Sequence, residues 1–243
     1  MQTPLESLSL GDVYWMSDAH VEAFMPVVGE HLIRLELVTC MDFSDEEGNM
    51  DHNIYLTDRS ASAIAQHCTK LESFSFVESE ITTSGLQSVI SNNPNITTLN
   101  LSKNNSLGDN NVGGNTVDVI ARFLPRLKEL RNYWTTPRSR WLTDDSLISL
   151  INAQEKQNGG VCLNLIGLQS EGNLTIRGLE YAIKKGVKVI ETDHALRSLT
   201  AEKVAKLESE YDVKFWQAKY VHYMDGSRCE WTPIFWWNAQ DRY

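Results

Sequence analysis

"LTDRSASAIAQHCTKLESFSFVESEIT", Leu56 to Thr82, opens on Leu-Thr and closes on Ile-Thr, where the same pattern starts again. Laid without a gap over "ITTSGLQSVISNNPNITTLNL", it brings Leu56 onto Ile81, Ala61 onto Leu86, Ile64 onto Val89, Leu71 onto Ile96, Phe74 onto Leu99 and Phe76 onto Leu101. A third copy, "VGGNTVDVIARFLPRLKEL", enters the frame through Val112, Val117, Ile120, Leu127 and Leu130. The first half of each unit, as in Leu86, Val89 and Ile90, places apolar residues at helical spacing. The second half reads L-x-x-L-x-L, the alternation of a short strand.

Working outward from this frame, strand-like segments begin at Leu5, Leu32, Leu71, Ile96, Leu127, Gly160, Val187 and Glu210. Their separations run from 23 to 39 residues, overlapping the unit of about 20 to 29 residues typical of a leucine-rich repeat, with insertions in the longer units. One unit cannot bury both its strand and its helix, so units must stack. The expectation is an α/β leucine-rich-repeat solenoid with a curved parallel sheet on the concave face and helices on the convex face. Seven to eight units would span residues 1–217, and residues 218–243 would form an aromatic-rich cap or docking tail. Leu99 and Leu101 then point into the slab, each worth roughly 1.5 to 3 kcal/mol on full burial. Thr98, Asn100 and Ser102 alternate outward.

The pattern L-T-D, apolar helix positions, a Cys three residues before L-x-x-L-x-L, then a second Cys and I-T resembles the cysteine-containing leucine-rich repeats of F-box proteins and their relatives without an F-box. Its carriers are Leu56-Thr57-Asp58 with Cys68 and Ile81-Thr82, Leu142-Thr143-Asp144, and "LIRLELVTC" from Leu32 to Cys40. "LNLSKNNSLGD", Leu99 to Asp109, is closer to the ribonuclease-inhibitor-like type. Because "TPLESLSLGD" itself reads as a strand, no F-box is expected ahead of the repeats. In "LKELRNYW", Asn132 occupies an inward apolar position, which marks either a bulge or a specialised patch.

In a solenoid the concave strand face is the usual partner surface, because its outward residues need not serve the core. The outward column reads Arg34 and Glu36, Ser73 and Ser75, Thr98 and Asn100, Glu129, Arg131 and Tyr133, Cys162 and Asn164, Glu191 and Asp193, Lys214 and Trp216. It is mixed in charge and small in the middle. Tyr133, Trp134 and Trp216 are the expected aromatic anchors at its C-terminal end; the alternative is that Trp134 and Trp216 fold over the core edge. The tail holds Trp231, Phe235, Trp236 and Trp237, either covering the terminal core or docking into a partner or a membrane surface, the last disfavoured by the few Lys and Arg beside them.

Other features point to little chemistry. A net charge of -10 argues against a phosphate-backbone partner, which calls for concentrated Lys and Arg. There is neither an apolar run of membrane-spanning length nor a secretory signal at the start of this sequence, so the expected compartment is intracellular, with the cytoplasm first and an organelle the alternative should a presequence have been removed. Cys40, Cys68, Cys162 and Cys229 are scattered and read as buried free thiols. The sequons at Asn95, Asn100, Asn104 and Asn173 read as chance occurrences in an Asn-rich region. "MDFSDEEGNMDHNIY", Met41 to Tyr55, clusters carboxylates without the alternation of a calcium loop and reads as a solvated acidic loop. Asp193-His194 reads as a polar pair on a loop. No catalytic constellation, cofactor or metal site is expected. The reading is a non-enzymatic protein-interaction scaffold, an accessory or assembly subunit of a larger complex; substrate recognition for ubiquitin transfer and GTPase activation are the alternatives.

Overall fold

The computed structural model describes residues 4–11, 16–39, 56–104, 106–108, 115–133, 141–168, 174–192, 200–223 and 226–233. The eight parallel strands, most clearly alternating between apolar and polar in the first four, are β1 (Ser7–Leu10), β2 (Arg34–Val38), β3 (Ser73–Val77), β4 (Thr98–Asn100), β5 (Glu129–Asn132), β6 (Leu165–Leu168), β7 (Val189–Thr192) and β8 (Lys214–Tyr223), hydrogen-bonded in chain order. β9 (Gly226–Pro233) returns antiparallel to β8. Helices α1 (Asp18–Val28), α2 (Asp58–His67), α3 (Thr83–Asn92), α4 (Thr116–Phe123), α5 (Asp144–Asn158), α6 (Ile176–Lys184) and α7 (Ala201–Glu210) each connect one parallel strand to the next.

Strands neighbour one another at about 4.8 Å, whereas helices need about 8 to 10 Å. A stack with one strand and one helix per unit is therefore longer on its helical side, which leaves the sheet on the concave face of the solenoid. The slab between the layers is filled from the sheet by Leu35, Leu37, Phe74, Phe76, Leu99, Leu101, Leu130, Ile166, Ile190 and Phe215, all essentially inaccessible to solvent. The Phe74 and Phe76 rings stack with centroids 5.7 Å apart.

The L-T-D motif has a structural cause. The Thr caps a helix, while the Asp after it reaches across to the cap of the next helix. Asp18 accepts from the Thr57 amide at 2.9 Å, the Thr57 hydroxyl at 2.6 Å and the Ser60 hydroxyl at 2.5 Å. Asp58 repeats this with the Thr82 amide and hydroxyl at 2.8 and 2.6 Å, and Asp144 with those of Thr175 at 2.7 and 2.6 Å. The residue facing the carboxylate must be small or a donor: a Cβ on Gly85 would lie 2.0 Å from Asp58 Oδ1, and one on Gly178 2.5 Å from Asp144 Oδ1. Where α3 begins with Thr83 instead of Asp, the ladder continues as a Thr83–Thr116 hydroxyl pair at 2.7 Å. Burial alone would raise the Asp18 and Asp144 carboxyls, but the hydroxyl and amide donors outweigh it and hold both below their ordinary value.

Six strands start two residues after the positions expected from sequence, but β6 begins at Leu165 and β8 at Lys214, so the frames set at Gly160 and Glu210 are corrected by three and two residues. "VCLNLIGL" has apolar residues on both alternations, at Leu163 and Leu165 and at Ile166 and Leu168, and only pairing with β5 selects one. Asn132 marks no bulge. It pairs regularly with Leu168, points into the slab, and its buried Oδ1 has no hydrogen-bond partner. Asn104 is fully buried: its carbonyl oxygen accepts from Ser79 and its amide donates to the Phe76 carbonyl at 2.6 Å, so this sequon has a structural role. β8 runs through position 217 into the segment read as a tail, which begins as a hairpin extending the sheet. The acidic stretch 41–55 lies outside the described residues.

Candidate interaction surface on the concave sheet

Strand register sorts the outward residues into two rows. The first runs Ser7, Arg34, Ser73, Thr98, Glu129, Leu165, Val189, Lys214, and the second Ser9, Glu36, Ser75, Asn100, Arg131, Gly167, Glu191, Trp216. Most expected positions fall in these rows. Cys162 and Asn164 do not, because they precede β6; its outward residues are Leu165 and Gly167. Ser7, Ser9 and Val189 belong to the rows and were missed, although the parity already assigned to the neighbouring strands identifies them.

Over β5–β7 the face is closed by its own side chains. Arg131 donates to Glu129 at 2.7 Å and to Glu191 at 3.0 Å, and the Tyr133 hydroxyl donates to Glu191 at 2.5 Å. Tyr133 crosses β6 where it has no side chain: a Cβ on Gly167 would sit 2.3 Å from the Tyr133 oxygen. Tyr133 is only 4% exposed and Glu191 8%. The expectation of Tyr133 as an exposed aromatic anchor is therefore corrected. Its ring is consumed by a strap over the sheet because glycine opens the space and Glu191 supplies the acceptor. Burial, followed by the Glu191 charge, pushes the Tyr133 phenol well above its ordinary value. Burial opposes the charge of Arg131, yet Glu191 and Glu129 keep its pKa raised.

Over β1–β4 the face is open. A groove of about 210 Å³ is lined by Ser7, Ser9, Arg34, Glu36, Ser73, Ser75, Thr98 and Asn100, with Arg131 at its far wall. Ser9 donates to Glu36 at 2.7 Å, and the Asn100 carbonyl oxygen accepts from the Ser102 hydroxyl at 2.6 Å. Ser75 is 9% exposed and its hydroxyl has no partner.

At the C-terminal end Lys214 is exposed and Trp216 half-buried, so Trp216 is split between the two expectations. Trp134, Asp193, His194, Phe235, Trp236 and Trp237 lie outside the described residues; Trp231 is described only through its backbone pairing with Ala218. Cys68 is a buried free thiol 3.6 Å from the Met25 sulfur, and burial pushes its pKa up to about 11. Cys162 is free and half-buried. Among the described residues no helix is long and apolar enough to cross a membrane.

No known protein family matches this chain, and no curated protein matches it. Among solved structures it is similar to a chain of the crystal structure of the Rad7 and Elc1 complex in yeast, at 13% identity and a TM-score of 0.44. That likeness covers 84% of this chain and 60% of the other, so this chain spans less than two thirds of the length of the protein it matches.

Proposed function

We propose that this chain is a non-enzymatic protein-binding scaffold, an accessory or assembly subunit of a larger complex, which holds its partner on the concave face of the sheet. The observation that carries this reading is the open polar face over β1–β4, where Arg34, Ser73 and Thr98 serve neither the core nor each other. A solenoid sheet has no structural need for such a set of donors. Its repeats are of the cysteine-containing kind related to F-box proteins; Cys68, buried at the end of α2 against Met25, supports that assignment.

The test is size-exclusion chromatography of the untagged endogenous protein and of a Ser73→Trp variant, with mass spectrometry of co-eluting chains. Ser73 is half-exposed in the groove, so a Trp there blocks the face without entering the slab. A stable large assembly that the variant loses, at unchanged thermal midpoint, is expected. Elution near the 27.6 kDa monomer, or an assembly indifferent to the variant, would overturn the reading. Accelerated GTP hydrolysis by small GTPases mixed with the protein would replace it with an enzymatic one.

A further inference from the structure

The geometry points to a carboxylate-bearing peptide segment as the ligand of the β1–β4 groove, with one Asp or Glu side chain of the partner seated on Arg34. This inference rests on the concave-face reading and adds the chemistry of what that face holds. Ser7, Arg34, Ser73 and Thr98 stand side by side on four strands, at spacings of about 4.8 Å. None of their side chains has a hydrogen bond or ion pair with the described residues. Beside them in the second row is the Ser75 hydroxyl, nine-tenths buried and without a partner. Asn100 uses its carbonyl oxygen on Ser102, which leaves its amide as a donor at the groove.

The charges around this row determine which anion fits. Arg131 is neutralised by Glu129 and Glu191, and Glu36 accepts from Ser9. Glu6 and Glu72 precede β1 and β3 without an ion pair to Arg34. Arg34 is thus the uncompensated cation of the face from β1 to β7 among the described residues. A guanidinium offers two parallel N–H donors that match a carboxylate fork, and the flanking hydroxyls of Ser7 and Ser73 supply further donors. Glu36 lines the groove two residues along β2 from Arg34, and its charge disfavours a dianion such as phosphate relative to a single carboxylate.

The experiment titrates fluorescein-labelled random hexapeptide pools, each with one fixed residue (Glu, Asp, Gln or phosphoserine), into the full chain and into Arg34→Gln, read by anisotropy. The Glu and Asp pools should bind about fivefold tighter than the Gln pool, the worth of one solvent-screened ion pair. Arg34→Gln should abolish that preference. Equal binding of the Glu and Gln pools, strongest binding of the phosphoserine pool, or a Glu preference that survives Arg34→Gln would each overturn the inference. If that happens while Ser73→Trp still strips the native assembly, the carboxylate assignment fails and the concave-face reading stands; if the assembly also ignores Ser73→Trp, both fail.

Discussion

Over β1–β4 the outward side chains, Arg34 and Glu36 apart, are short and their polar groups largely unused, whereas over β5–β7 Glu129, Arg131, Tyr133 and Glu191 satisfy one another. Both regions keep the same parity, with all eight row positions polar over β1–β4 and three of six, Glu129, Arg131 and Glu191, over β5–β7. They differ because Gly167 removes a side chain from the middle of the second region, so that Tyr133 can lie down and reach Glu191 two strands away. An outward polar residue is therefore not automatically an available one. The tyrosine that looked most like an anchor is part of the architecture, and the plain serines are what the surface offers.

This contrast can be broken by mutation. The largest effect should come from Glu191→Ala, which strands the Tyr133 hydroxyl and leaves Arg131 with Glu129 alone. It is expected to cost about 3 kcal/mol in urea denaturation, because a buried donor loses its acceptor and an ion pair is lost with it. Gly167→Ala should cost about 2 kcal/mol, since its Cβ collides with the Tyr133 oxygen; in a Tyr133→Ala background most of that cost should vanish, which a double-mutant cycle measures. Arg34→Ala, Ser73→Ala and Thr98→Val, in the open region, should each stay within about 0.5 kcal/mol of the parent by the same assay. A large loss at any of these three would mean that the open face is structural as well.

The Asp ladder at the helix N-termini sharpens the comparison from the opposite side of the molecule, because it is shared by both regions. Asp18 and Asp144 have folded-state values depressed below 3.8. Their contribution is fully present above that unfolded value and is lost as pH falls through the depressed folded values. Stability should therefore decline below about pH 4 in a pH series of thermal midpoints. Asp18→Asn and Asp144→Asn should each flatten that decline slightly and by similar amounts, whereas Glu191→Ala should lower the whole curve.

Much of this was legible in the chain itself. The ungapped match of Leu56–Phe76 onto Ile81–Leu101 is reproduced by the pairing of Phe74 with Leu99 and Ser75 with Asn100. The L-T-D signature marked real helix starts at Asp58 and Asp144. What failed was local: at "VCLNLIGL" two alternations are equally apolar, so the sequence has no preference between facing Asn164 or Leu165 outward. The candidate site fared worse than the fold. Parity placed Arg34, Ser73, Thr98 and Arg131 on the right face but said nothing about which of them already had partners.

The division follows from the range of the forces. Burial of apolar groups is short in period and repeats along the chain, so hydrophobic spacing by itself determined the unit, the order of the parallel strands and the inward residues of six of them. Hydrogen bonds and ion pairs between distant residues depend on positions that no spacing encodes: Tyr133 and Glu191 lie 58 residues apart, and Asp18 lies 39 from Thr57. Only the tertiary structure, by stacking one unit on the next, decided that Tyr133 closes one half of the concave face while Arg34 on the other half has no ion pair among the described residues.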